Sequence, residues 1–183
     1  MITAIFGAAG SGKSVYAENE LANAGGKVVY VGTLPRSSFF ADKLSTHSAR
    51  RPSAWALFEL TESWAEQGES FRDALMSSDI GLIEGLSFYV YRQSALAQFG
   101  IREESELLMC LQELHTHKGR FFVVDPPIPA TLPIQDRRRL RVFQENVVML
   151  ADVTIWVECG YGAVVHDDKL RHLLGIGAEE EVL

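Results

Sequence analysis

The stretch GAAGSGKS, Gly7 to Ser14, follows the apolar run ITAIF and leads straight into KSVYAENELANA, whose apolar residues recur at helical spacing. That order of strand, glycine-rich loop and helix constrains the fold more than any other feature of the chain. Gly7, Gly12, Lys13 and Ser14 satisfy the pattern GxxxxGK[ST]. The glycines let the backbone turn so that successive N–H groups face phosphate oxygens, and the N-terminus of the following helix adds the positive end of its dipole. In such a loop Gly7, Ala8, Ala9, Gly10, Ser11, Gly12, Lys13 and Ser14 wrap a triphosphate, of GTP or ATP. Lys13 reaches the β and γ phosphates, and the Ser14 hydroxyl is offered to Mg²⁺.

Further strand-like runs recur along the chain: KVVYVG (27–32), DIGLIE (79–84), RFFVVD (120–125) and DVTIWVE (152–158). Most are continuous apolar runs rather than alternating ones, the pattern of strands covered on both faces. Helical stretches lie between them, at 13–24, 63–76, 87–99, 104–117 and 135–150. This alternation predicts right-handed crossovers and an α/β fold of the P-loop NTPase type, a doubly wound, mostly parallel sheet with helices on both faces. Loops carry the punctuation, NAGGK at 23–27 and the proline-rich DPPIPATLP at 125–133, where regular helix is excluded. The length of 183 residues, without repeat or linker, is read as one domain, with a tail from about His166 expected to be mobile.

A formal charge of -7 excludes a general nucleic-acid binder, which needs a surplus of Lys and Arg, so any phosphate is gripped locally. No apolar stretch is long enough to span a bilayer, and the N-terminus lacks the pattern of a secretory signal. The two cysteines, Cys110 and Cys159, form no disulfide framework and read as small core residues. These features point to a reduced, cytoplasmic enzyme-like domain.

A phosphate loop of this kind calls for an acidic group at the end of a neighbouring strand, near the hydrated magnesium. Glu84, closing DIGLIE, is the first candidate and Asp125, closing RFFVVD, the alternative. A second constellation lies at 41–59: a helical stretch ending near His47, then Arg50 and Arg51, Pro52 as a stop, and a strand-like segment from Trp55 to Glu59. A histidine beside two arginines can accept a nucleotidyl phosphorus while the guanidinium groups hold phosphate oxygens. Taken alone, such a histidine is more often a solvated helix end than a nucleophile.

The chain resembles the bifunctional adenosylcobinamide kinase and adenosylcobinamide-phosphate guanylyltransferase family of cobalamin biosynthesis. The resemblance rests on GAAGSGKS, VVYVGT and HSARRPSAWALFE, in which His47 precedes Arg51 by four residues, Trp55 follows it by four and Glu59 by eight. It implies that Gly7 to Ser14 bind the triphosphate and that Val31, Gly32 and Thr33 border the nucleotide. His47 is the implied nucleophile toward the α phosphorus of GTP, releasing pyrophosphate and becoming guanylylated, with Lys13 acting in the kinase step. Ser48, Ala49, Arg50, Arg51 and Glu59 are the implied guanosine contacts, with Glu84 matching the acidic strand end beside Mg²⁺. A corrinoid is the implied small-molecule substrate, and a homo-oligomer such as a trimer the implied assembly.

Beyond Glu84 the sequence departs from the family pattern, in GLSFYVYRQS, DPPIPATLP and the shorter RRRLRVFQENVVMLAD. Two other readings therefore remain beside the first: a P-loop kinase with a different small-molecule acceptor, and a nucleotide-binding regulatory module without transfer chemistry. The run Arg137, Arg138, Arg139 and Arg141 is either a phosphate clamp or a solvated helix face. Phe88, Tyr89 and Tyr91 read as core or interface aromatics.

Overall fold

The computed structural model describes residues 1–22 and 25–165, so the expected mobile tail from His166 lies outside the described residues. In chain order the elements are β1 (Ile2–Phe6), α1 (Lys13–Ala22), β2 (Val28–Gly32), a 3-10 turn (Ser38–Phe40), α2 (Ala41–Arg50), β3 (Ala56–Glu59), α3 (Trp64–Met76), β4 (Ile80–Glu84), α4 (Leu86–Ala95), α5 (Ile101–Glu113), β5 (Arg120–Val124), α6 (Ile134–Leu150), β6 (Val153–Glu158) and β7 (Tyr161–Val164). They build one seven-stranded sheet in the order β3-β2-β4-β5-β1-β6-β7. Every pairing is parallel except that of β6 with β7.

The continuous apolar runs have the expected cause. Side chains alternate across a strand, and in β1 Ile2, Ala4 and Phe6 enter one buried cluster while Ile5 enters the other. The first cluster is closed by α3 to α6 through Trp64, Phe71, Leu75, Tyr89, Leu107, Leu111, Leu140, Phe143 and Val147. The second is closed by α1 through Ala17 and Leu21. Helices thus cover both faces, as the doubly wound reading requires.

Three details differ from the sequence reading. Helix α2 continues past His47 to Arg50, because Pro52 restricts only the residue before it, and Arg51 turns extended at φ -70, ψ 133. The strand β7 was not anticipated. It pairs antiparallel with β6, Glu158 opposite Tyr161, across a tight turn in which Cys159 (φ 50) and Gly160 (φ 82) are both left-handed. A two-residue hairpin needs that handedness. Cys110 is buried as expected, but Cys159, sitting at this turn, is exposed rather than part of the core.

Helix α2 is attached differently from the others. None of its residues is buried. Its ties to the sheet side are polar: His47 to Glu84, and Arg50 to Glu18 of α1.

Candidate functional site

The loop between β1 and α1 holds its shape through the backbone. Gly10 and Gly12 are left-handed at φ 75 and 91. At Gly7 a Cβ would come within 2.3 Å of the Val157 carbonyl oxygen, so only glycine lets the loop pass that close to β6. From the other side Gly160 N donates to Ser11 O at 2.7 Å, so the β6–β7 turn braces the loop. Lys13 Nζ donates to Ala8 O at 2.7 Å, arching over the concavity that the loop amides enclose. Burial, and then the charge of Lys43, lower the Lys13 pKa, partly offset by Glu84 and Asp125.

The carboxylate of Glu84 stands at the end of β4, two strands from β1. Its Oε2 receives the Tyr30 hydroxyl and lies 2.9 Å from His47 Nδ1. Burial works to raise its pKa, but the hydrogen bond and charge of His47, with the Ser14 and Tyr30 hydroxyls, outweigh burial and hold it at about 2. Its Oε1 is buried and has no hydrogen-bond partner among the described residues. Asp125, at the end of β5, is differently engaged: fully buried, it accepts from Ser87 N at 3.1 Å and Ser87 Oγ at 2.9 Å. Gln144 Nε2 completes that network by donating to Ser87 Oγ and Pro126 O. Burial raises Asp125 to about 7, against the lowering effect of Ser87 and Lys13.

A cavity of about 850 Å³ joins the two constellations. Of the residues singled out in the sequence, Ala8, Ala9, Gly10, Gly12, Lys13, Ser14, Gly32, Thr33, His47, Arg50, Arg51, Glu59 and Glu84 line it. Gly7, Ser11, Val31, Ser48 and Ala49 do not: Gly7 and Ser11 shape the loop from behind, Val31 is core, and Ser48 and Ala49 lie on the exposed side of α2. Glu59 and Arg50, both expected at the guanosine, carry protein partners. Glu59 binds the Arg36 guanidinium, with Nε to Oε1 at 2.9 Å and NH2 to Oε2 at 2.8 Å, and Arg50 binds Glu18, Nε to Oε2 at 2.9 Å.

Sequence reasoning missed Tyr30, which lines the cavity between Glu84 and Arg51, and the apolar wall formed by Phe40, Phe88 and Pro126 to Pro129. Phe88 is therefore a cavity residue, edge-on to Phe40, while Tyr89 is core. The signal for Tyr30 was its alternation with Val29 and Val31 on a strand whose end borders the site. Of the arginine run of α6, Arg139 pairs with Glu104 and with the Phe99 carbonyl. Among the described residues no cluster of three or more metal-binding His, Cys, Asp or Glu side chains occurs, and no helix is long and apolar enough to cross a membrane.

A phosphate-type loop leaving a strand in the middle of a mostly parallel sheet, with helices on both faces, defines an α/β protein of the P-loop NTPase type. One solved structure agrees at the level of fold. An ATPase from the type III secretion system of pathogenic bacteria superposes with a TM-score of 0.54 and 15% identity over 93% of this chain, which spans 60% of that protein's length. A KaiC-like protein from the hyperthermophilic archaeon Pyrococcus horikoshii is matched at a TM-score of 0.49 and 12% identity, covering 85% of this chain and 69% of that one. The chain belongs to the cobinamide kinase / cobinamide phosphate guanyltransferase family (CobU), whose description matches residues 3–133. No curated protein sequence matches the chain.

Proposed function

We propose that this protein phosphorylates adenosylcobinamide and then guanylylates the product, using GTP or ATP at the Gly7–Ser14 loop and His47 as the guanylyl carrier. The observation that carries this reading is that His47 and the loop open into one cavity, bridged by Glu84. In the kinase step the acceptor hydroxyl oxygen bonds to the γ phosphorus, its proton is released to solvent, and the nucleoside diphosphate leaves. Lys13 and the loop amides offset the charge that accumulates on the transferred group. In the second step a lone pair of His47 attacks the α phosphorus of GTP, and the bond to the bridging oxygen breaks to release pyrophosphate. An oxygen of the cobinamide phosphate then displaces the histidine, restoring the imidazole.

Magnesium fits the residues present. The Ser14 hydroxyl and the unpartnered Glu84 Oε1 are hard oxygen donors on the cavity wall, suited to hold the ion or its water shell. When bound, the ion supplies charge neutralisation across the phosphates. Asp125 is a weaker candidate for that role because Ser87 already occupies its carboxylate.

The deciding experiment is incubation with GTP labelled at the α phosphorus. Label should stay on the protein through a bond that is lost in acid and survives base, and should vanish in His47→Asn. Supplying cobinamide phosphate should discharge it. A second reading, a P-loop kinase for a different acceptor, is favoured by the Pro126–Pro129 wall and by the protein partners already on Glu59 and Arg50. Acceptor-dependent γ transfer with no protein labelling would select it.

A further inference from the structure

One oxygen of Glu84 takes two donors. Tyr30 Oη donates to Oε2, and His47 Nδ1 stands 2.9 Å from the same atom. The two donor atoms are 3.4 Å apart. An ionised carboxylate only accepts, so the hydrogen at the histidine contact belongs to Nδ1. The phenol hydrogen is already directed at Glu84, and the approach of Tyr30 to His47 is therefore two donors converging on one acceptor. Tyr30 is itself held in place. Its ring lies under the Arg51 guanidinium, 4.1 Å from the centroid. Arg50 donates to Glu18 and Lys13 to Ala8 O, so the hydrogen bonds of both go elsewhere than Glu84 Oε2.

We propose that Tyr30 is a positioning residue for the histidine: by occupying one side of Glu84 Oε2 it aims that oxygen at Nδ1, so that Nε2 carries the lone pair and forms the bond to phosphorus. The proposal rests on the reading of His47 as guanylyl carrier and deepens it. A neutral imidazole has one N–H and one lone pair. With the N–H committed at Nδ1, Nε2 bonds to the α phosphorus, pyrophosphate departs with the bridging oxygen, and the positive charge gained by the ring faces the Glu84 carboxylate. Without the phenol donor, Oε2 loses one of the two groups that fix its direction, so the ring loses its one defined orientation. Partners of this kind are worth roughly ten- to hundred-fold in activity where they orient a reacting imidazole on a metal, and the same scale is expected here.

The test uses Tyr30→Phe, which keeps the ring and its packing, with the full chain labelled in its histidine nitrogens. Long-range proton–nitrogen spectra at mildly alkaline pH, with the His47 signal identified by its loss in His47→Asn, should give the Nδ1–H tautomer in the wild type and a mixture in Tyr30→Phe. After GTP treatment, phosphorus–nitrogen coupling should place the guanylyl group on Nε2. Tyr30→Phe should slow labelling by roughly ten- to hundred-fold while GTP affinity stays within about twofold. An Nε2–H tautomer or an Nδ1 adduct in the wild type overturns the proposal, as does a Tyr30→Phe protein equal to wild type in tautomer and rate. A wild type that never labels yet has a Tyr30-dependent Nδ1–H tautomer keeps the positioning role and removes the carrier.

Discussion

Asp125 and Glu84 end neighbouring strands, yet their surroundings drive them in opposite directions. Glu84 has the His47 imidazole and two hydroxyls as partners and is held at about 2, whereas Asp125, fully buried with only Ser87 as donor, is raised to about 7 from 3.8. For Asp125 the folded protein binds the proton more tightly than the unfolded chain, so stability is greatest at low pH and falls as pH rises from 3.8 to about 7. Asp125→Asn should remove that limb. Chemical denaturation across pH should then give a flatter profile, with the variant more stable than wild type above neutrality by about 2–4 kcal/mol. An unchanged slope would mean that Asp125 stays ionised. At this scale the sequence showed which residues are acidic strand ends but not which is paired. Pairing depends on Tyr30, Ser87 and Gln144, which arrive from three other elements and carry no local signal.

Helix α2 is a short amphiphile with no buried side chain, bound to the body through His47, Arg50 and Arg51. Its attachment is therefore electrostatic, and removing one tie should loosen the element without unfolding the sheet. Glu18→Ala leaves Arg50 without its carboxylate. Amide exchange over 41–50 should speed up several-fold, while global stability drops by only about 1 kcal/mol. Equal protection in both proteins would show that the ion pair does not anchor the helix. The strands were legible because burial on both faces writes a continuous apolar run, as in IGLIE and RFFVV. The edge strand β7 was not, since all four residues of YGAV are exposed and its Cys159–Gly160 turn lacks an Asn-Gly or Asp-Gly pair.

Across the whole molecule, the chemistry-bearing residues lie at one rim. Gly7 follows β1, Thr33 follows β2, and Glu59, Glu84 and Asp125 end or follow β3, β4 and β5. Ligands of open α/β sheets bind outside the carboxyl ends of the strands, so the cavity sits where the topology places it. A ligand there contacts several strands and should stabilise all of them together. At a hundredfold excess over Kd, a nucleotide contributes about 2.7 kcal/mol, which raises Tm by a few degrees for a chain of this length. The shift should be visible by thermal scanning with GTP or ATP and absent in Lys13→Ala, which should melt near the wild-type temperature. A full shift in Lys13→Ala would separate binding from the loop.

The bracing of the loop by the β6–β7 turn, Gly160 N on Ser11 O, has a further side. The letters of the nucleotide loop are made before the strands that flank them, since β1 pairs with β5 and β6, Ile2 beside Phe121 and Thr3 beside Val153. Its backbone has no sheet neighbours until the late part of the chain emerges. The nascent loop thus gains its sheet neighbours and its brace only after β5, β6 and the turn at residue 160 have been made.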